Sequence, residues 1–333
     1  MTVRIGVNGF GRIGRLVVRA ARERDIEVVG VNDVVKVATL AHLLKYDSTF
    51  GRYPGSVAVE GAALVVDGRP IRATAERDPA DLDWSAVGAD IVVESTGRFR
   101  SRDDAAGHLK AGTRKVILSA PGKGVDATLV LGVNADTYDP ALHDVVSNAS
   151  CTTNCFAPMV KVLHDAFGIR KGFLTTVHGY TNDQNVLDGP HKDLHRARAA
   201  AINLIPTTTG AARAVGLVLP ELAGRLDGIA LRVPIEDGSL CDFAAVLDRE
   251  ATVAEVNAAF RAAADGELAG LLVYNEDPIV SRDVVGESAS CIFDATLTQA
   301  QGELVKIFGW YDNEWGYTQR LLDLVELVAA RGW

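Results

Sequence analysis

Val3-Arg4-Ile5-Gly6-Val7-Asn8-Gly9-Phe10-Gly11-Arg12-Ile13-Gly14 decides the fold. A Val/Ile-rich run of strand character stops at Asn8, and a Gly-x-Gly-x-x-Gly follows at once. Residues 12–24 then place Ile13, Leu16, Val17 and Ala20 on one face of a helix, and 27–32 is again a strand. Strand, helix and strand make a βαβ unit, the context in which three glycines have a mechanical meaning. Gly9 permits the tight turn, Gly11 lets backbone approach a pyrophosphate, and Gly14 allows close helix-sheet packing. The helix N-terminus, with Arg12 and Ile13 in the loop, attracts an anion. Asp33, 19 residues past Gly14 at the end of the second strand, is placed to accept hydrogen bonds from ribose hydroxyls and to repel a 2′-phosphate. NAD is therefore favoured over NADP. The competing reading makes the glycines a turn and Asp33 a strand cap, with Lys36 the one cation able to rescue NADP. Strand, helix and acid together outweigh it.

Outward from this unit, apolar runs at 91–93, 116–118, 128–131 and 145–146 continue a mostly parallel sheet to about residue 150. Residues 64–71 carry Asp67-Gly68 as a hairpin turn. After 150 the texture changes to strands at 172–177, 228–234, 242–247 and 304–310, with helices near 209–218 and 253–265. Alanine-rich patches at 197–201 and 262–264 are compatible with helices. Residues 316–331 read as a long helix returning to the first domain. The expected class is α/β: a doubly wound parallel-sheet (Rossmann) domain over 1–150, joined by a C-terminal helix at 315–333, and an α+β catalytic domain with a mixed or antiparallel sheet over 151–314.

A chain of 333 residues is long enough for two cores. With 48% hydrophobic and 23% charged residues it should fold throughout. A net charge of -9 repels nucleic acid and anionic membrane, so neither is an expected partner, and a phosphate-bearing ligand needs a local basic pocket. No long apolar span or signal segment is read, which gives a cytoplasmic expectation. The four cysteines, Cys151, Cys155, Cys241 and Cys291, make no disulfide framework and are read as reduced thiols.

Ser147-Asn148-Ala149-Ser150-Cys151-Thr152-Thr153-Asn154-Cys155 follows a strand and supplies good N-caps for a helix beginning near Cys151. There the macrodipole and the unsatisfied N–H groups favour thiolate, the species that attacks a carbonyl. A small buried hydrophobe is the other reading of Cys151 at this point. Cys155 lies one turn on and is read as structural, because no other Cys or His pair completes a zinc spacing; no metal is expected. Pro158 should kink the helix or shorten its first segment.

The 147–155 stretch resembles the active-site signature of glyceraldehyde-3-phosphate dehydrogenases. The resemblance extends over nearly the whole chain, through Arg4-Ile5-Gly6-Val7-Asn8-Gly9-Phe10-Gly11-Arg12-Ile13-Gly14-Arg15, Leu40-Ala41-His42-Leu43-Leu44-Lys45-Tyr46-Asp47-Ser48, Glu94-Ser95-Thr96-Gly97 and Trp310-Tyr311-Asp312-Asn313-Glu314-Trp315-Gly316-Tyr317. It implies a homotetramer that oxidises glyceraldehyde 3-phosphate with NAD and inorganic phosphate, through a hemithioacetal and a thioester on Cys151. It also implies that His178 is the base paired with Cys151. Ser150, Thr152, Thr181, Arg196, Thr209, Gly210 and Arg232 are implied as phosphate ligands. Asn8, Arg77, Thr96, Gly97, Ser119 and Asn313 join the glycines and Asp33 as cofactor contacts, with Asn313 holding the nicotinamide carboxamide. Phe156, Gly179 and His195 depart from the residues common in the family and are expected near the active site. Two rivals stand beside this reading: an erythrose-4-phosphate dehydrogenase, and an NAD-binding regulatory protein without catalysis.

Overall fold

The computed structural model describes residues 2–333, and these form two compact units. One holds the chain up to Leu129 with Ala135–Ala149 and Thr318–Trp333; the other holds Val130–Asn134 and Ser150–Tyr317.

The first unit is built on nine strands in the order Ala127–Thr128, Val145–Ser147, Lys115–Leu118, Ile91–Glu94, Val3–Asn8, Ile26–Asn32, Arg69–Thr74, Ala63–Val66 and Val57–Glu60. The pairings from Ala127–Thr128 through Arg69–Thr74 are parallel, and the last two pairings are antiparallel. Central strands made of Val and Ile suit this position, since both faces of a parallel sheet are covered. Ile5, Val7, Ile91, Val92, Val93, Val116 and Ile117 are all fully buried. Each such side chain contributes about 1.5–3 kcal/mol by leaving water. The Asp67-Gly68 turn has φ of 51° and 77°, the two positive angles a tight hairpin of matching twist requires.

Val3–Asn8 lies where the sheet order reverses. The next strand in sequence, Ile26–Asn32, pairs on one side and Ile91–Glu94 on the other, so Asn8 stands opposite both Asn32 and Glu94. Strand ends at such a reversal leave a crevice. Two expectations need correction here. The first helix is Arg12–Ala21 rather than 12–24, because Glu23 and Arg24 close back on Ala20 and Ala21 as turns. The strand expected at 128–131 is only Ala127–Thr128, although Leu129 and Val130 stay buried.

The second unit carries an eight-stranded mixed sheet, in the order Ile205–Thr208, Leu226–Val233, Ile169–Gly179, Ser239–Leu247, Leu304–Tyr311, Cys291–Asp294 and Leu272–Asn275, with Gln299–Gln301 also on Leu304–Tyr311. Alternation sets its faces: in Ser239–Leu247, residues Ser239, Cys241, Phe243, Ala245 and Leu247 are buried and those between are half-exposed. The helix Cys151–Phe167 packs against this sheet with Cys155, Phe156, Met159, Val160 and Leu163 fully buried. Pro158 sits inside it without dividing it. Val253–Asp265 begins with a Thr252/Glu255 capping box. The alanines at 197–201 are not a helix: Asp188 takes Ala199 N and the Asn185 carbonyl takes Ala200 N, leaving only a single turn at Ala200–Ile202. Among the described residues no helix is long and apolar enough to cross a membrane.

Candidate active site

In the first unit the crevice at the sheet reversal is a cavity of about 250 Å³. Asn8, Gly9, Gly11, Asp33, Arg77 and Thr96 line it together. Asp33 Oδ2 accepts from Phe10 N at 2.8 Å and Oδ1 from Val35 N at 3.1 Å, so the carboxylate is fixed over the glycine turn with a lone pair left on each oxygen. Gly9 has φ of 92°, and a Cβ there would lie 2.5 Å from Thr96 N; one at Gly14 would lie 2.1 Å from Gly9 O. Gly11 differs, since a Cβ there would meet no protein atom within 4 Å. It occupies the N-cap of Arg12–Ala21, and no side chain caps that helix. An open hollow over uncapped N–H groups suits a pyrophosphate.

The crevice floor is fixed by one buried carboxylate. Glu94 Oε2 accepts from Asn8 Nδ2 at 2.6 Å and lies 3.0 Å from His108 Nε2, while Oε1 accepts from Thr96 N at 2.8 Å. Trp84 Nε1 can only donate, at 3.0 Å, to His108 Nδ1, which puts the ring proton on Nε2 facing Glu94. Asn32 continues the chain, donating to Asn8 Oδ1 at 2.7 Å and to Glu76 O at 2.9 Å. Arg12 turns to Asp47 at 2.6 Å, and Ile13, Gly14, Gly97 and Ser119 do not line the cavity. Asn32, Val34, Glu76, Ser95, Arg98 and Phe99 line it without having been singled out from the sequence. Their one signal is adjacency to Asp33, Arg77, Thr96 and Gly97.

In the second unit Ser150 caps Cys151–Phe167: its hydroxyl accepts from Thr153 N at 3.0 Å. Cys151 thus takes the first helical position. Its Sγ lies 3.4 Å from His178 Nε2. His178 stands near the end of Ile169–Gly179, directly across the parallel ladder from Arg232. His178 Nδ1 is 2.7 Å from Gly179 O, and Arg232 Nη1 is 2.8 Å from Nδ1 and 2.9 Å from the same carbonyl. Gly179 O can only accept and Arg232 Nη1 can only donate, so their contacts at Nδ1 call for opposite tautomers; the shorter one, 2.7 Å to the carbonyl, favours the proton on Nδ1, with Arg232 Nη1 then donating to the same carbonyl. We therefore assign the ring proton to Nδ1, which leaves Nε2 free to accept from the thiol.

Charge sets the state of the ring as a whole. Burial first, and the Arg232 guanidinium second, push His178 down to about 3, so the imidazole is neutral at neutral pH. Burial pushes the Cys151 thiol up to about 11, opposed by Arg232 and by the Thr152 N–H. Cys151 itself is a half-buried free thiol. Burial thus opposes the thiolate that the helix N-terminus favours, while Arg232 and the Thr152 N–H support it.

Arg232 is half-buried, its Nε has no partner, and no acidic side chain forms an ion pair with it among the described residues. That leaves it suited to an incoming anion. Arg196 lies close enough to influence both His178 and Arg232, yet it is engaged: by Asp183, by Thr207 Oγ1 at 2.8 Å and by Thr208 O at 3.3 Å. The Thr152 hydroxyl bonds Tyr311 Oη at 2.8 Å, and Tyr311 Oη also meets the Thr176 hydroxyl at 3.0 Å. Tyr311 thereby braces the nucleophile's helix against the base's strand, a role that only the burial of a phenol could have signalled. Thr181 N donates to Gln184, and Thr209 Oγ1 accepts from Ala211 N. Gly210 is the N-cap of Ala211–Val218, again without a side-chain cap. Asn313 is buried, its Oδ1 accepting from Ser239 Oγ at 2.5 Å.

Of the three departures, Phe156 is core, edge-on to Phe243 at 4.8 Å. Gly179 supplies the carbonyl shared by His178 and Arg232, and a Cβ there would stand 3.0 Å from Ile235 O. His195 is an exposed partner of Asp193.

A crevice of this kind in a doubly wound sheet, together with a cysteine held beside a neutral histidine, defines the class: an NAD-dependent dehydrogenase. Residues 3–102 match the family model described as glyceraldehyde 3-phosphate dehydrogenase, NAD binding domain, and 150–313 match the model for the C-terminal domain of the same family. The chain is 60% identical over 334 residues to the glyceraldehyde-3-phosphate dehydrogenase of Geobacillus stearothermophilus, covering 100% of both chains. It is 59% identical to that of Streptomyces coelicolor over 98% of this chain and 99% of the relative, and 57% identical to that of Priestia megaterium over the full length of both. The chain belongs to the glyceraldehyde-3-phosphate dehydrogenase family.

Proposed function

We propose that this protein oxidises glyceraldehyde 3-phosphate to 1,3-bisphosphoglycerate with NAD and inorganic phosphate, with Cys151 as nucleophile and His178 as base. The observation that carries the reading is the 3.4 Å approach of Cys151 Sγ to His178 Nε2 beside the unpaired Arg232. Cys151 adds to the aldehyde carbon as its proton passes to His178 Nε2, and the imidazolium returns that proton to the new alkoxide. When bound, NAD accepts the hydride from that carbon. His178 takes the hydroxyl proton in this step, leaving a thioester on Cys151. Phosphate then attacks the thioester carbonyl, the carbon–sulfur bond breaks, and His178 reprotonates the departing sulfur.

In this reading Arg232 holds the substrate's phosphate with Thr181, and Ser150, Thr152, Arg196, Thr209 and Gly210 serve the phosphates as further donors. Ser150 and Thr152 act there through groups not already spent on the cap and on Tyr311, and Arg196 must release Asp183. Asn8, Gly9, Gly11, Arg12, Ile13, Gly14, Asp33, Arg77, Thr96, Gly97 and Ser119 hold NAD, and Asn313 holds the carboxamide. The division of labour follows, with 1–150 and 315–333 serving the cofactor and 151–314 the substrate, apart from Ser150 on the phosphates and Asn313 on the carboxamide. A homotetramer belongs to the same reading, supported by large apolar side chains left exposed on the second unit's sheet and neighbouring loops, among them Phe173, Ile229, Leu187, Leu194 and Ile202. A cytoplasmic setting is supported by four cysteines standing as free thiols.

The test is NADH formation from glyceraldehyde 3-phosphate and NAD, with and without inorganic phosphate, beside Cys151→Ser. Phosphate-dependent turnover, lost in the variant, is expected. Turnover without phosphate would favour the erythrose-4-phosphate type of chemistry, and NAD binding without turnover a regulatory protein.

A further inference from the structure

Asp237 and Asp312 are buried to 3% and 1% exposure, and their side chains are in hydrogen-bonding contact. Asp312 accepts three backbone donors, which favour its ionised form and leave one lone pair on Oδ2: Oδ2 takes Gly286 N at 2.7 Å, and Oδ1 takes Glu314 N at 2.8 Å and Trp315 N at 2.6 Å. Asp237 accepts fewer. Its Oδ1 takes only Gly238 N at 2.9 Å, and Oδ2 is buried without any donor. Counted as two carboxylates, the pair would be two like charges in contact with one orphaned oxygen. A proton on Asp237 Oδ2 removes both defects, because the acid then donates to Asp312. Burial first, then the charges of Asp312 and Glu314, push Asp237 up to about 9.

The pair joins two segments that carry site residues. Two residues beyond Asp237, Ser239 Oγ accepts from Gly179 N at 3.2 Å and donates to Asn313 Oδ1 at 2.5 Å. Asn313 is the residue next to Asp312. The strands themselves meet here, with Ser239 paired to Tyr311. Tyr180 N donates to Ile235 O at 3.0 Å, so the 235–238 loop also borders the segment that follows His178. Asp237–Asp312 and Ser239–Asn313 are thus parallel bridges between the same two chain segments. From these contacts we infer that Asp237, as a hydrogen-bond donor to Asp312, is a positioning residue that holds Asn313 in the orientation required by the nicotinamide carboxamide. This rests on the NAD-dependent reading above and adds to it a residue the family resemblance did not supply.

The charged groups around the pair are Asp312 itself, Glu314, the Glu236–Arg282 ion pair at 2.6 Å, and His178, which burial keeps neutral. The proton the pair shares sits on Asp237 Oδ2, the oxygen without a donor, and its loss in the mildly alkaline range opens the bridge. The sign follows from linkage. A carboxyl raised in the folded state contributes stability that is complete at low pH and is lost as pH rises through its folded value.

The experiment is NAD affinity by calorimetry from about pH 7 to about pH 10, in a Cys151→Ala background so that thiol titration does not contribute, with melting temperature at each pH. The parent should lose at least about fivefold in affinity across that range, with a parallel fall in melting temperature. Asp237→Asn, whose amide still donates to Asp312 but does not titrate, should bind with a flat profile. Asp237→Ala should bind weakly at every pH. A flat parent profile, or the same alkaline loss in Asp237→Asn, overturns the inference. No NAD binding by the parent at neutral pH would instead overturn the NAD-dependent reading itself.

Discussion

Arg232 Nη1 stands 2.8 Å from His178 Nδ1, across one rung of a parallel ladder, and no carboxylate neutralises it among the described residues. A cation so placed does two things in opposite directions. It disfavours imidazolium at His178 and favours thiolate at Cys151. Replacing Arg232 with Gln should therefore let His178 rise from its depressed value and the Cys151 thiol rise further. Alkylation of Cys151 by neutral iodoacetamide should slow at neutral pH, with its midpoint displaced upward. The KM for the phosphorylated aldehyde should rise about tenfold or more, as expected for a lost charge-assisted hydrogen bond. An unchanged alkylation profile would show that Arg232 does not set the charge state of the pair.

His178→Asn separates base catalysis from thiol reactivity. Without Nε2 the sulfur must attack as free thiolate, which a thiol pushed up to about 11 supplies only sparsely near neutrality. Hydride transfer, followed as the first burst of NADH, should fall by about 10²–10⁴ at neutral pH. It should then climb with pH at about tenfold per unit, toward the thiol's own value. The native protein should show no such slope. A pH-independent variant would contradict the assignment of His178 as the proton acceptor.

Which parts of this could be read from the residues alone follows from the range of the forces involved. The βαβ unit, its glycine turn and the hairpin at Asp67-Gly68 are short-range matters of periodicity and φ, and they stand where the sequence put them. Val253–Asp265 begins at its Thr252 cap for the same reason. Ala199 and Ala200 misled because their N–H groups are taken by Asp188 and Asn185, partners 11 and 15 residues away that helix propensity does not register. The helix N-terminus at Cys151 was legible because a cap is local, whereas the burial that opposes its thiolate comes from the whole sheet and is not. Arg196 was identifiable as a cation, but its engagement by Asp183 depends on how the intervening loop folds back. Tyr311 and Asp237 gave no sequence signal of their roles, since each acts through a partner far away in the chain.

Two glycines of one motif should fail in different ways. At Gly14 a Cβ would fall 2.1 Å from Gly9 O, a backbone atom that cannot yield without opening the turn. Gly14→Ala should lower the melting temperature by an amount corresponding to about 1–3 kcal/mol and weaken NAD binding as a consequence. At Gly11 the added methyl meets no protein atom within 4 Å and occupies the hollow above the uncapped helix end. Gly11→Ala should melt with the native protein yet lose about tenfold or more in NAD affinity. Equal melting and equal affinity in Gly11→Ala would remove the pyrophosphate from that hollow.

Asp33 sets the choice between the two nicotinamide dinucleotides. Its oxygens are already oriented by Phe10 N at 2.8 Å and Val35 N at 3.1 Å, so the charge is held at the cavity wall rather than swinging in solvent. Each oxygen retains acceptor capacity for a ribose hydroxyl, and both would repel a 2′-phosphate. In Asp33→Ala the hydroxyls lose their acceptors and the two N–H groups lose theirs, so NAD affinity should fall. NADP gives up repulsion at the same time, and its affinity should hold or improve. The ratio of kcat/KM for NAD to that for NADP should drop by about tenfold or more, each 1.4 kcal/mol of lost discrimination corresponding to a factor of ten. Lys36, exposed three residues on, then becomes the cation available to the extra phosphate, and adding Lys36→Ala should take back part of the NADP gain. A preference unchanged in Asp33→Ala would mean that the adenosine ribose does not lie at the end of Ile26–Asn32.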